Sequence, residues 1–181
     1  MTPSPRIKGW CPGAWRPMAT GDGWLVRVRP PLGELSREQV VALCNAAETF
    51  GSGLIELTSR ANLQLRGVTD ESWPLLMAFL VEHQLVSDDP EAERLPQLML
   101  APAWQKGDDT HTIARLLQAR GSELASMPGK VGIAIDAGEA PVLGDNAADF
   151  RIERSTEGGL LVRADGYALG TVVSDIDAAV E

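Results

Sequence analysis

Two stretches near the start of the chain alternate between apolar and polar residues at every second position, which is typical of strands with one buried face. The first covers residues 24–29 and the second residues 57–67. The polar face of these strands is predicted to carry Arg27, Arg29, Arg60, Asn62, Gln64 and Arg66, opposite Trp24, Val26, Val28, Ala61, Leu63 and Leu65. The alternation therefore predicts one sheet with up to four guanidinium groups on a common surface.

Helical periodicity begins after the first strand. Ser36 and Gln39 have the spacing of a capping box and predict a helix that ends near residue 50. Its apolar stripe is predicted to contain Val40, Leu43, Cys44, Ala47 and Phe50, so that Cys44 is a core residue. A strand at 54–58 is predicted to continue, through a bend near Ser59 or Arg60, into a strand at 62–66.

A second helix is predicted at 71–85, with Asp70 as its N-cap. Its apolar face includes Leu76, Phe79 and Leu80, and His83 is predicted to lie partly buried on the same face. The order of strand, helix, two strands and helix predicts an α+β, ferredoxin-like half domain in residues 1–86, which includes an irregular arm at 1–22. Its helices cover one face of the sheet, and the face with the arginines is left for a ligand, water or another module.

The acidic segment 87–93 marks a predicted domain boundary, and residues 94–181 are predicted to form a second small α+β domain. An apolar segment at 98–101 precedes a helix at 110–125 and a strand at 131–135. Three antiparallel strands follow at 148–154, 159–164 and 167–173, with glycine turns at 158–159 and 165–166.

Composition and charge restrict the function. The 181 residues are 44% hydrophobic and 23% charged, as in folded globular proteins, and the net charge of −9 argues against general nucleic-acid binding. The charge is uneven, because residues 1–67 carry +3 and residues 68–181 carry −12. We find neither an apolar run of about 18 residues nor the hydrophobic core of a signal peptide, so we expect a cytoplasmic protein without a membrane segment.

Common catalytic motifs are missing from the sequence. It contains no glycine-rich phosphate loop, no histidine pair at metal spacing and no Ser-His-Asp set. We expect His111 to lie on the surface. Cys11 is interpreted as a small apolar contact, with a reactive thiol or a metal ligand as the alternative. Together with Cys44 it cannot supply the four thiolates of an iron–sulfur cluster, and we assign no metal ligand.

The polar strand face has two interpretations. It could be an ordinary solvated face, since Arg and Gln are common there. The concentration of arginine in an otherwise acidic chain instead favours an anion-binding surface, because guanidinium groups bind carboxylates through paired hydrogen bonds. Groups spread along two strands suit a broad ligand with several carboxylates.

Residues 57–68 resemble a strand of the nitrite/sulfite reductase family, Thr-x-Arg-x-x-x-Gln-x-(His/Arg)-Gly, through Thr58, Arg60, Gln64, Arg66 and Gly67. Residues 26–30 resemble the preceding strand of that family. The segments Gly9-Trp10-Cys11-Pro12-Gly13, Arg16-Pro17-Met18 and Gly21-Asp22-Gly23 are similar to the start of its precorrin-3B synthase branch. Residues 127–136 are similar to the Leu-Pro-x-Lys-Phe segment of the family, which adds Lys130 to the expected site.

The resemblance implies that the arginine face lines a tetrapyrrole pocket. For the precorrin-3B synthase branch it implies a monooxygenase of cobalamin biosynthesis that acts on precorrin-3A, a carboxylate-rich tetrapyrrole, with oxygen and an electron donor. A 4Fe–4S cluster and a non-heme iron are expected in the full-length family, and neither is expected on this chain alone. Residues 94–181 would then be the start of the cluster-carrying domain without its cysteines.

The family fold is a pseudo-dimer of two halves, so the expected partner is a missing C-terminal half or a second copy of the chain. Two other functions stay open. One is the corresponding half of a siroheme-type nitrite or sulfite reductase. The other is a non-catalytic tetrapyrrole-binding or partner module.

Overall fold

The computed structural model describes residues 11–123, 127 and 130–181. Its first unit is a sheet of four antiparallel strands in the order β1-β2-β4-β3. The strands are β1 (Met18–Thr20), β2 (Gly23–Val28), β3 (Ile55–Leu57) and β4 (Leu63–Val68), and the helices are α1 (Arg37–Phe50) and α2 (Trp73–Glu82). The α+β, ferredoxin-like order of elements is confirmed; β1 is an additional strand within the predicted irregular arm.

Both helices pack on one face of this sheet. Val26, Val28, Leu65 and Val68 point from the sheet into a core that is completed by buried side chains of α1 and α2. The predicted alternation holds for Val26 and Val28 and for Leu63 and Leu65, whereas a β-bulge interrupts it between Trp24 and Val26. No helix among the described residues packs on the opposite face. We call that face, which carries Arg27, Glu56, Gln64 and Arg66, the open face.

The capping box of α1 is present, but its apolar stripe is displaced from the prediction. Ser36 Oγ accepts from the backbone N–H of Gln39, and Gln39 Oε1 accepts from the N–H of Ser36. The buried positions are Ala42, Leu43, Ala46 and Ala47, whereas Val40 and Cys44 are exposed. Both stripes have helical spacing; in the folded chain the small side chains of Ala42 and Ala46 face the sheet. The prediction of a buried Cys44 is wrong.

The stretch around Arg60 is a hairpin rather than one bent strand. β3 pairs antiparallel with β4 in the register Leu57↔Leu63. The Thr58 N–H donates to the Asn62 carbonyl at 2.9 Å, and Ala61 adopts a φ of 53°. This left-handed residue reverses the chain, so the predicted continuation of strand 54–58 into 62–66 is wrong and Arg60 lies in the turn.

The start and end of α2 also differ from the prediction. The carboxylate of Asp70 accepts a hydrogen bond from the Trp24 indole at 2.7 Å and does not cap the helix, which begins at Trp73. The helix ends at Glu82, and His83 follows it as an exposed residue whose ring lies 4.3 Å from that of Phe79. The predicted burial of His83 is therefore wrong.

The second unit is a five-stranded sheet in the order β5-β6-β7-β8-β9. Its strands are β5 (Gln97–Leu100), β6 (Gly132–Asp136), β7 (Phe150–Arg154), β8 (Leu160–Ala164) and β9 (Thr171–Val173). The first three are parallel, and β7, β8 and β9 form the predicted antiparallel series.

Helix α3 (Asp109–Ala119) connects β5 to β6 and covers one face of this sheet. It is shorter than predicted, because a 3-10 turn follows at Gly121–Glu123; residues 124–126 lie outside the described residues. A short helix, α4 (Ile176–Val180), packs beside it and was not predicted. Near the start of α3, His111 is half-buried and stacks on Trp104. Among the described residues, no helix is long and apolar enough to span a bilayer.

Candidate functional site: the guanidinium groups of the open face

The centre of the open face is a polar row across three strands. The register places Arg27 beside Gln64 and Gln64 beside Glu56. In the amide orientation that satisfies both neighbours, Gln64 accepts from Arg27 Nη2 at 2.9 Å and donates to Glu56 at 3.2 Å. The predicted placement of Arg27 and Gln64 on one face is thus observed.

Arg27 is half-buried, and its Nε atom is buried without a hydrogen-bond partner among the described residues. Burial lowers the pKa of Arg27, and the nearby positive charges of Arg29 and Arg60 lower it further. The neighbouring sulfur of Cys11 acts in the opposite direction and raises the pKa of Arg27. Three guanidinium groups therefore share one neighbourhood, and we call Arg27, Arg29 and Arg60 the guanidinium cluster.

Arg29 follows the last residue of β2 and extends toward the connector between the units. Its Nη1 donates to the backbone carbonyl of Glu93 at 3.1 Å and contacts that of Leu95 at 3.5 Å. Its Nε is buried and unpartnered among the described residues, as in Arg27. A cleft of about 140 Å³ opens beside it, with Asn62 and Gln97 in the lining. Arg29 thus retains a donor at the junction of the two units.

Arg60 and Lys130 meet at the rim of the same region. Arg60 Nη1 donates to the backbone carbonyl of Lys130 at 3.0 Å, and the Lys130 side chain is exposed. Residues 128–129 of the predicted turn before Lys130 lie outside the described residues. The contact places the basic residue of that segment beside the hairpin turn.

The side chain of Asn62 is not on the open strand face that the alternation predicted. It is 3% exposed and bonds to the amide of Gln97, the first residue of β5. Because Asn62 lies just before β4 begins, the period of two does not apply to it. Asn62 therefore joins the two units in this structure.

Arg66 lies on the open face as predicted, but two carboxylates of the same chain hold it. Its Nη2 is 2.7 Å from Asp22 and its Nη1 is 3.3 Å from Glu56. These contacts raise the pKa of Arg66, and the hydrogen bond from Arg66 is the main reason that the pKa of Asp22 falls to about 2. By contrast, no ion pair found among the described residues involves Arg27, Arg29 or Arg60.

Two residues near the cluster were not predicted as part of the site. Cys11, interpreted as a small apolar contact, instead lies against the Arg27 guanidinium. The carboxylate of Glu93 accepts from the backbone N–H groups of Ala14 and Trp15. No local pattern could have found the Glu93 contacts, because they join residues 79 and 78 positions apart.

An iron–sulfur cluster or an iron does not fit the described residues. They contain no group of three or more His, Cys, Asp or Glu side chains that could hold a metal ion. Cys11 lies near Arg27, whereas Cys44 is exposed on α1, which packs on the other face of the sheet. The two thiols do not converge on a common site.

Comparisons with known proteins agree with the fold. Residues 16–83 match the nitrite/sulfite reductase ferredoxin-like half domain. A precorrin-3B synthase of Sinorhizobium is 38% identical over 149 residues, which cover 81% of this chain and 32% of that protein. A ferredoxin–nitrite reductase of Synechococcus elongatus is 32% identical over 145 residues, or 74% of this chain and 28% of that protein.

A solved structure is also similar. The NirA protein of Mycobacterium tuberculosis superposes with a TM-score of 0.57 at 18% sequence identity, over 77% of this chain and 27% of that one. This likeness supports the fold alone. The chain spans about a third of the length of the curated relatives that it matches.

Proposed function

We infer that this chain, a homologue of precorrin-3B synthase whose residues 16–83 belong to the nitrite/sulfite reductase ferredoxin-like half-domain family, binds a carboxylate-rich tetrapyrrole on its guanidinium cluster. Arg27, Arg29 and Arg60 are the central contacts, with Gln64, Arg66 and Lys130 around them. Asn62 supports the site from the junction. The ligand is of the precorrin-3A type, and the chain acts as the N-terminal half of a precorrin-3B synthase-like monooxygenase of cobalamin biosynthesis.

The observation that carries this proposal is the incomplete neutralisation of the cluster. Three guanidinium groups that repel one another cost free energy unless an anion is close to them. Arg27 and Arg29 also retain buried Nε donors without partners among the described residues. Carboxylate arms would satisfy these donors with charge-assisted hydrogen bonds, and several arms on one broad ring would reach all three groups.

The redox chemistry belongs to another part of the protein in this proposal. Since the described residues do not fit a metal or a cluster, the 4Fe–4S centre and the non-heme iron would be held outside them. We place the function in the cytoplasm, where an exposed thiol such as Cys44 stays reduced.

We further propose that the partner is the complementary half of the family fold or a second copy of this chain. β3 lies at the edge of the first sheet; Leu54, just before it, and Leu57, its last residue, are exposed apolar side chains. Unpaired edges with apolar side chains are surfaces that favour association. Light scattering should detect a dimer or concentration-dependent association, and a monomer at high concentration would contradict this part of the proposal.

The ligand proposal is tested by titrating the chain with uroporphyrin, a stable tetrapyrrole rich in carboxylates, and following its fluorescence. Arg27→Gln should raise the dissociation constant by about 5- to 150-fold, the equivalent of about 1–3 kcal/mol for a charge-assisted bond. The matched control is Arg37→Gln, which removes an exposed arginine at the start of α1 on the far side of the sheet. Added salt should weaken binding to the wild type.

Equal affinities for the Arg27→Gln and Arg37→Gln variants would contradict the proposed site. A siroheme-type reductase half is the second candidate, supported by the 32% identity to a ferredoxin–nitrite reductase. Comparing uroporphyrin with coproporphyrin, which has fewer carboxylates, and with sirohydrochlorin, the metal-free siroheme ring, separates the candidates by ligand preference. Binding of tetrapyrroles without turnover in the full-length protein would favour a non-catalytic module.

A further inference from the structure

A short segment of the chain, the strap, lies alongside β2 next to Arg27. We define the strap as residues 11–17. Its Gly13 carbonyl accepts from the backbone N–H of Arg27 at 3.1 Å, and its Cys11 lies near the Arg27 guanidinium. The strap therefore borders Arg27, a member of the guanidinium cluster.

Glu93 fastens the middle of the strap. Its Oε1 accepts from the N–H of Ala14 at 2.7 Å and its Oε2 contacts the N–H of Trp15 at 3.2 Å. The carboxylate fits closely against Gly13, because a Cβ at that position would come within 2.1 Å of Glu93 Oε2. Glycine at position 13 thus leaves room for the anion between the strap and the connector.

The same residue also contacts the cluster directly. The backbone carbonyl of Glu93 accepts from Arg29 Nη1 at 3.1 Å. Glu93 therefore connects the strap, which touches Arg27, with Arg29. Two other hydrogen bonds attach the strap to parts of the chain outside the cluster. The Trp15 indole donates to the Ser87 carbonyl, and the Trp73 indole donates to the Ala14 carbonyl.

The neighbouring acidic residues of the connector lack this arrangement. Glu91 lies in the same 3-10 turn, but its carboxylate is exposed and pairs at 2.8 Å with Arg94, three residues further along the chain. The hydrogen bonds to the strap therefore depend on the position of Glu93 and not on the acidic composition of residues 87–93.

We propose that Glu93 is a positioning residue for anion binding, which holds the strap against Arg27 and orients Arg29 toward the same ligand. This role rests on the proposed function of the guanidinium cluster. Glu93 does not touch the ligand; it acts through Cys11, Gly13 and Arg29. A loosened strap would expose the Cys11 thiol and lower the affinity of the cluster.

The experiment uses a Cys44→Ala background, in which Cys11 is the single thiol of the chain. Glu93→Gln should accelerate labelling of Cys11 by a maleimide at least about fivefold, because losing the charged clamp makes local opening of the strap easier. It should also raise the dissociation constant for uroporphyrin by about tenfold, because Arg27 and Arg29 lose their orientation. Glu91→Gln is the matched control and should change neither quantity.

Gly13→Ala disrupts the same contact from the strap side. Its methyl group would push the Glu93 carboxylate away from the strap. Both variants are checked for a wild-type circular dichroism spectrum and melting curve before comparison. Unchanged labelling in both variants overturns the proposal. Faster labelling with unchanged uroporphyrin affinity also overturns it, because Glu93 would then hold the strap in place without affecting ligand binding.

Failure of the underlying function gives a different result. If Arg27→Gln binds uroporphyrin as tightly as the wild type, the cluster is not the site. In that event the labelling rates still report whether Glu93 holds the strap, so the two failures are distinguishable in the same set of proteins.

Discussion

Asn62 and Gln97 hydrogen-bond to each other through both halves of their side-chain amides. Asn62 Nδ2 donates to Gln97 Oε1 at 2.9 Å, and Gln97 Nε2 donates back to Asn62 Oδ1 at 3.0 Å. The Gln97 amide also donates to the Arg60 carbonyl in the hairpin turn. This pair links the first sheet to the first strand of the second unit and holds the turn that carries Arg60.

The first prediction is that Asn62→Ala lowers the free energy of unfolding by about 1–3 kcal/mol, because Gln97 is left with unsatisfied polar atoms in a half-buried place. Urea denaturation followed by circular dichroism measures the loss. Asn45→Ala is the control, since Asn45 is exposed on α1 and alanine favours a helix. Equal stabilities of the two variants would mean that the amide pair contributes nothing to the junction.

Local sequence patterns were sufficient to predict most of the fold, because the spacing of apolar residues reports which side chains are buried. Val26, Val28 and Leu65 are fully buried, as the period of two requires. The hairpin at 58–62 was missed because no glycine marks its turn; the left-handed residue is Ala61. The stripe of α1 was misplaced because two neighbouring stripes have helical spacing, and the sequence does not show which one meets the sheet.

The site could be predicted only in part, for a related reason. Arg27 and Gln64 are neighbours through strand register, which alternation reports. The contacts of Asn62 with Gln97 span 35 residues, and those of Glu93 with the strap span 79 and 78. Such pairs depend on how the two units meet, and nothing in the local sequence encodes that meeting.

The second prediction concerns acid stability. The pKa of Asp22 is lowered from 3.8 to about 2, chiefly by the hydrogen bond from Arg66 and next by that from the Thr20 hydroxyl. A depressed folded-state pKa stabilises the protein above the unfolded value, and this contribution is lost as the pH falls from 3.8 through about 2. Asp22→Asn should therefore lose less stability than the wild type over that interval.

Urea midpoints measured across this pH range test the second prediction. Arg66→Gln should reproduce the flatter pH dependence, because the pKa of Asp22 would return toward its ordinary value when its partner is removed. Parallel pH profiles for the wild type and both variants would show that the pair does not couple protonation to folding.

The third prediction separates the two faces of the first sheet. Leu65→Ala should lower the free energy of unfolding by about 2–5 kcal/mol, because Leu65 is 0% exposed and its truncation leaves a cavity. Leu57→Ala on the adjacent strand should be nearly neutral, since Leu57 is 83% exposed. If urea denaturation shows similar losses of stability for Leu65→Ala and Leu57→Ala, the prediction that only Leu65 belongs to the core is wrong.

The last prediction concerns Arg151, a charged residue that is only 1% exposed within the second sheet. Its guanidinium donates to Asp165 at 2.5 Å and to the backbone carbonyls of Leu143 and Asn146. Arg151→Met keeps most of the apolar volume but leaves these carbonyls unpaired. We expect a loss of about 3 kcal/mol or more, as is usual when one partner of a buried ionic network is removed.

Two further measurements identify the cause of that loss. Arg151 is the main reason that the pKa of Asp165 is lowered, so an NMR titration of the Arg151→Met variant should show the Asp165 pKa rising toward its ordinary range. Arg115→Met, which removes an exposed arginine of α3, should change stability by no more than about 0.5 kcal/mol. If the two methionine variants unfold at the same urea concentration, the buried guanidinium does not hold the segment between β6 and β7 in place.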